Sequence, residues 1–289
     1  MSLLPQQIVY GLLVGSLYGL AATGLSLVFG VLKILNVAHG ELIMLGGYAS
    51  FWIVALLDVD PFLSLLFTLP VMLVVGFFLY HGLFTFVAAS AEEARIRNSL
   101  LIGFGLALVF HNLAILLWTA DERGITTAYS GQVIRVLGLA FPIMRLGGLA
   151  AAFLVILGLH GFLHRTYLGK AIRATAEDWE AAALMGINID TTYRVAFAVS
   201  VATAGIAGTL VTIGYSVSPS IGLEWTLKAL IVVVLAGLGS MMGTFVGGLL
   251  LGVAESASTI LLGGAYREVV GLILFLVILL ARPQGLFGR

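Results

Sequence analysis

The chain has 289 residues, 61% of them hydrophobic and only 10% charged, with a mean hydropathy of +1.13 and 14 acidic against 14 basic side chains. An ordinary soluble domain carries an apolar share of roughly 45–50%, so composition excludes that class, and zero net charge without a basic surface gives no support to nucleic-acid binding. With no cysteine, disulfides and thiolate metal sites are excluded too.

Apolar runs reach 20 residues and more, which suits helices crossing a hydrocarbon core of about 30 Å, and they lack the alternation of a membrane β-barrel. The expectation is an all-α integral membrane protein. It is a polytopic helical bundle of about eight membrane segments in contact with lipid, with broken or re-entrant helices, and residues 1–289 form one transmembrane domain. The start, MSLLPQQIVYGLL, has no basic region and no cleavage site, so it reads as a first membrane helix rather than a removable signal.

Residues 8–32 form the first apolar segment, and Gly11, Gly15 and Gly19 recur every fourth residue on it. Such a stripe lets a second helix approach closely. Lys33 to Gly47, KILNVAHGELIMLGG, then brings Asn36, His39 and Glu41 together around Gly40. Ionisable groups at membrane depth are costly and face a cavity, a partner or a pathway, which makes these the candidate pathway residues. The alternative is an interfacial segment whose His39 and Glu41 are solvated or paired with Lys33.

Segments 42–57 and 61–84 follow, joined by a turn at Asp58-Val59-Asp60-Pro61, with His81 near an interface. Ala88 to Asn98, with Glu92, Glu93, Arg95 and Arg97, reads as a loop. Segment 99–119 carries His111 and Asn112 near its middle, where they either hydrogen-bond between helices or line a route. From 121 to 145 the chain leaves the membrane in a loop whose β-branched, Gly and Pro residues fit a small hairpin. Residues 146–163 return through the membrane.

Gly169 to Asp190, GKAIRATAEDWEAAALMGINID, is the main soluble feature. Thr175 and Asp178 form a capping-box start, Glu177, Asp178 and Glu180 put negative charge at the positive end of a helix, and Gly186 closes it. The expected helix has about three turns, roughly 15 Å. Trp179, Ala182, Ala183 and Met185 fall on or near one face, so the helix is either a docking element or a soluble connector.

Segment 194–213 crosses again, and Gly214 to Trp225 is irregular, with Ser216, Ser218, Ser220 and Glu224 either lining a mouth or simply hydrated. Residues 227–262 are too long for one span and hold Gly237-Leu238-Gly239-Ser240, which predicts a half-helix, a break and a second helix. Gly239, Gly243 and Gly247 echo the first stripe and point to two related halves around a central site. Glu255 either serves the pathway or makes a structural hydrogen bond. Segment 269–281 is the last.

Basic residues set the orientation. Arg95, Arg97, Arg165, Lys170, Arg173, Arg194, Arg282 and Arg289 gather on one side, against Arg123, Arg135, Arg145, Lys228 and Arg267 on the other. The first side, with the 169–190 loop and the C-terminus, is therefore the cytoplasmic one.

Glu180-Ala181-Ala182, three residues and Gly186 resemble the EAA-x-x-x-G loop of ABC importer permeases, although Ile187-Asn188-Ile189-Asp190 replaces the usual isoleucine-proline tail. Together with NVAHGE at 36–41, GKAIRATAEDWEAAALMGIN at 169–188, LAGLGSMMGTFVGGLLLGVAE at 235–255 and RPQGLFGR at the end, the chain resembles the H-type permease subunit of branched-chain amino-acid (Liv) ABC importers. The resemblance implies a bacterial-type plasma membrane and a heterodimer with a second, M-type permease. It also implies two cytoplasmic ATP-binding subunits that hold ATP and Mg, and a periplasmic or extracellular solute-binding protein. It makes Glu177, Asp178, Trp179, Glu180, Ala181, Ala182, Met185 and Gly186 a cytoplasmic coupling helix and places Asn36 to Glu41 near the translocation route, with no cofactor in this chain. Similar permeases carry branched-chain or other amino acids, urea and short amides, or aromatic carboxylates. No Gly-x-x-x-x-Gly-Lys-Ser/Thr loop is present, so energy must come from a partner. The rival classes are a passive channel for a small neutral solute and a membrane-embedded enzyme using His39 and Glu41.

Overall fold

A computed structural model describes residues 3–127, 129–237, 239–282 and 284–288. Leu238 of the glycine break, Pro283 of the tail and Arg289 of the basic tally lie outside the described residues, as do the side chains of Glu92 and Glu93. In order, the elements are α1 (Leu3–Leu32), α2 (His39–Leu57), α3 (Ser64–Leu79), a π-turn (Tyr80–Phe84), α4 (Thr85–Ala88) and α5 (Glu92–Trp118). A hairpin follows, β1 (Val133–Val136) and β2 (Leu139–Pro142), then α6 (Ile143–Arg165), α7 (Tyr167–Glu177), α8 (Trp179–Leu184) and α9 (Ile189–Gly214). The chain ends with α10 (Ile221–Ala236), α11 (Met241–Leu262), a 3-10 turn (Gly264–Tyr266) and α12 (Arg267–Ala281).

Eight of these helices, counting α3 to α4 as one, are long and apolar enough to cross a membrane. The protein is an all-α polytopic membrane protein. The central spans, α1 and α9, are 89% and 94% buried, whereas the α12 span is 6% buried and turns its leucines outward. Small residues explain how the centre closes. A Cβ on Gly11 would come 2.6 Å from Val253 Cα, and one on Gly15 2.7 Å from the Gly248 carbonyl oxygen. The stripe on α1 therefore packs on Gly248 and Gly252 of α11, backbone against backbone. Gly243 and Gly247 face elsewhere, toward Phe287 and toward Leu235 and Ala236, so the two glycine series do not form one shared seam.

Two ends of the bundle are defined by long-range contacts. At the hairpin end, Gln6 exchanges two hydrogen bonds with the Ala140 backbone, at 2.9 and 2.8 Å, and Ser216 donates to Glu122. At the opposite end, Arg95 donates to the Leu32 carbonyl, Arg173 to the Leu163 carbonyl and Tyr80 to Asp190. The polar stretch from Ala88 is not the expected loop: α5 already starts at Glu92, and residues 89–91 alone turn the chain.

One further helix runs from end to end. Its lead-in is tied to the hairpin end by the Arg123–Val217 bridge, while the carbonyls of Leu235 and Ala236 at its other end accept from Leu286 and Phe287. This is α10, with only 16 residues, about 24 Å of helix, too short to qualify as a span by length. As expected, α10 ends at Ala236 and a separate helix, α11, starts at Met241.

Candidate functional site

Helix α2 does not start at the end of the bundle. After Leu32 the chain turns at Lys33, with φ 55°, and re-enters; Asn36 Oδ1 accepts the Ala38 N–H at 3.1 Å, shaping the turn from which the helix grows. His39 Nε2–H then donates to the Ala21 carbonyl at 2.8 Å. Ala21 lies about 16 Å up α1 from Leu32, so the first turn of α2 sits well inside the bundle. His39 and Glu41 are both buried, and neither is paired with Lys33 among the described residues.

From the other end, the lead-in 215–220 dips in the same way. His111 Nδ1–H donates to the Pro219 carbonyl at 3.0 Å, about 10 Å inside the outer end of α5. The first turns of α2 and α10 thus meet within the bundle. The Gly40 N–H donates to Thr226 Oγ1 at 2.9 Å, and Gly40 rests on the Gly222 carbonyl, where a Cβ would not fit. Glu41 packs its carboxyl on Gly222, again where any side chain would collide. Two helix N-termini, each carrying roughly half a positive charge, thus lie beside one buried carboxyl group. Glu41 Oε2 and His39 Nδ1 have no hydrogen-bond partner among the described residues.

Glu255 is different. It is fully buried, and Lys228 Nζ donates to its Oε1 at 2.6 Å, while Tyr18 Oη and Arg267 Nε donate to Oε2 at 3.2 and 3.3 Å. One carboxylate clamps α1, α10, α11 and α12, with both its oxygens engaged. Of the two basic residues that pair with it, counted above on the second side, Lys228 is held inside and leaves that tally, while Arg267 is half-buried. Among the other polar expectations, His111 bonds a lead-in carbonyl rather than a helix, and Asn112 bonds the Leu108 carbonyl of its own helix.

The soluble stretch is two helices, not one. Thr175 is buried inside α7, and the break falls at Asp178, whose extended backbone (φ −153°, ψ 104°) ends α7. Asp178 Oδ1 accepts the Glu180 and Ala181 N–H groups at 2.9 and 3.0 Å, so the N-cap is Asp178 and not Thr175. The remaining α8 has six residues, about 9 Å, rather than three turns. Gly186, at φ 85°, closes it: the Ile187 N–H reaches the Ala182 carbonyl and the Gly186 N–H the Ala183 carbonyl, a Schellman ending. Ala182 points into the protein, correcting the expected face. Trp179, Leu184 and Met185 project outward, the last two 89% and 83% exposed. Leu184 was not singled out by spacing, since its outward direction depends on where α8 begins.

Comparison with known proteins places this architecture. The family described as branched-chain amino acid transport system / permease component matches residues 7–281. The chain is 34% identical to the high-affinity branched-chain amino acid transport system permease protein BraD of Pseudomonas aeruginosa, over 98% of this chain and 95% of that protein. It is 32% identical to the permease protein LivH of Escherichia coli K12, again over 98% and 95%. Among solved structures, a chain of PsaBC from Streptococcus pneumoniae in complex with Fab shares the fold, with a TM-score of 0.51 at 12% identity, over 98% of this chain and 93% of that one. Full-length matches in sequence, together with a bundle of matching fold, make this chain a member of the branched-chain amino acid transport permease family.

Proposed function

We propose that this chain is the H-type permease of an ABC importer that carries branched-chain amino acids across the plasma membrane. The observation that carries the reading is the meeting of α2 and α10 inside the bundle, with an open carboxylate oxygen on Glu41. The pathway runs past Asn36, His39 and Glu41, while Glu255 holds helices together instead of touching substrate. ATP and Mg belong to two cytoplasmic subunits, a second permease completes the channel, and an external binding protein delivers solute.

The end carrying α8 faces the cytoplasm, because Arg95, Arg97, Arg165, Lys170 and Arg173 gather there. Exposed Trp179, Leu184 and Met185, set on a helix capped at both ends, offer the ATPase a short rigid lever. Nucleotide-driven closure of the ATPases pushes α8, and α7 passes the push to the bundle through Arg173 and Leu163. The junction of α2 and α10 then opens alternately to each side.

Purification from the native membrane in mild detergent, with mass spectrometry of every co-purifying chain, tests this. Two ATPase chains and a related permease are expected, together with ATP-dependent leucine uptake in proteoliposomes containing the binding protein. A chain that emerges alone, with ATP-independent flux, refutes it.

A further inference from the structure

At the α8 end, beside the proposed coupling helix, lies an open cavity of about 590 Å³. This is within the range of roughly 300–1,000 Å³ common for small-molecule sites. One wall is the end of α1 and the start of α5, carrying Lys33 and Arg95; another is α7 and α8, carrying Glu177, Asp178 and Glu180, with Asp178 engaged as the α8 cap. Opposite charges thus line one space, yet none of these five forms an ion pair among the described residues. Arg95 gives Nη1 and Nη2 to the Leu32 and Ser90 carbonyls, each at 3.3 Å, and its guanidinium lies over the Tyr193 ring, 5.8 Å from the centroid. Thr175 belongs to the same lining; its hydroxyl and Arg95 Nε are shielded behind the surface and unpartnered among the described residues. Between the walls the floor is apolar, built from buried Val31 and Tyr193.

A simple ion answers one wall only. A small molecule bearing a carboxylate and an ammonium a few ångströms apart, on a compact aliphatic body, answers both walls and the floor. We propose that this cavity binds a free α-amino acid as its zwitterion. The carboxylate lies toward Lys33 and Arg95, the ammonium toward Glu177 and Glu180, and the side chain against Val31 and Tyr193. Because the ligand bridges α7–α8 to α1–α5, it favours one arrangement of these walls over the other and slows transport, coupling product concentration to import. The regulatory half of this proposal rests on the importer reading; the binding half does not.

The test begins with calorimetric titration of the complete transporter, permease pair with ATPases, using three probes: L-leucine, L-leucinamide and 4-methylpentanoate. Leucine is expected to bind, with each analogue at least tenfold weaker because it lacks one charge. Lys33→Gln is expected to weaken leucine at least tenfold. Equal binding of all three probes, no binding of leucine, or native leucine binding in Lys33→Gln overturns the proposal. So does leucine binding that appears in the permease pair alone and vanishes when ATPases are added, since the cavity is then an ATPase seat. The second readout is uptake into vesicles loaded with leucine relative to empty ones. That ratio is expected to fall severalfold below one, and to return toward one in Lys33→Gln; an unchanged ratio in the variant refutes the regulation. If no binding protein supports leucine import while Lys33-dependent zwitterion binding persists, the site stands and the importer's substrate reading is what fails.

Discussion

Glu41 and Glu255 are both buried carboxylates on central helices, and their surroundings assign them opposite tasks. Glu255 has three donors, two of them cationic, so removing it strands Lys228 in a site where its side chain is 7% exposed. Breaking a buried pair from one side costs about 3–5 kcal/mol, whereas replacing the pair by apolar groups is often neutral. Glu255→Ala is therefore expected to lower the thermal unfolding midpoint sharply in detergent, and Glu255→Leu with Lys228→Met to recover most of the loss; equal midpoints for the single and double variants would refute the clamp. Glu41 has no such partner to strand. Glu41→Gln should keep a near-native unfolding profile while cutting leucine uptake at least tenfold, and native uptake would remove Glu41 from the pathway.

For whole elements, the α1–α11 contact and α8 make separate demands on the chain. At Gly15 the facing atom is a backbone carbonyl that has nowhere to move, so Gly15→Leu should prevent stable insertion of the bundle, read as loss of a monodisperse peak on size-exclusion chromatography. Gly82, in the π-turn, has nothing within 4 Å of an added Cβ, and Gly82→Ala should leave that peak unchanged. On α8 the exposed apolar residues lie off the core. Leu184→Asp with Met185→Asp should leave the bundle intact but reduce ATPase co-purification at least tenfold; undiminished ATPase recovery would show that α8 is only a connector.

Across the whole molecule, the traverse made by α10 matters more than its length. With it, the N-terminal end of α1 and the C-terminal tail lie at opposite ends of the bundle, as the Gln6–Ala140 and Phe287–Ala236 contacts require. The chain has no cysteine, so single cysteines report topology cleanly. Leu137→Cys, at the hairpin tip and 97% exposed, should react with an impermeant maleimide from outside whole cells, and Leu184→Cys only after the membrane is opened. Labelling of both from one side would overturn the arrangement.

Apolar runs of membrane length, the glycine stripe on α1 and the polar cluster at 36–41 were legible along the chain, because each is a local pattern whose physics needs no partner. The hairpin was legible in the same way, since a Leu137-Gly138 turn with both φ positive follows from β-branched flanks and glycine. Other features waited on tertiary structure. Which glycines answer Gly15 depends on the rotation of α11, and both Gly247 and Gly248 fit a sequence pattern while only Gly248 meets α1. Whether Thr175 or Asp178 caps a helix depends on which is buried, and α7 buries Thr175 against the bundle. The company Glu255 keeps comes from three other helices, up to 237 residues away in sequence. Local composition thus determined that this protein is a membrane bundle of a recognisable family. Its tertiary packing alone decided which buried charge is satisfied and which is left open, since a charge's cost is set by neighbours the chain brings from afar.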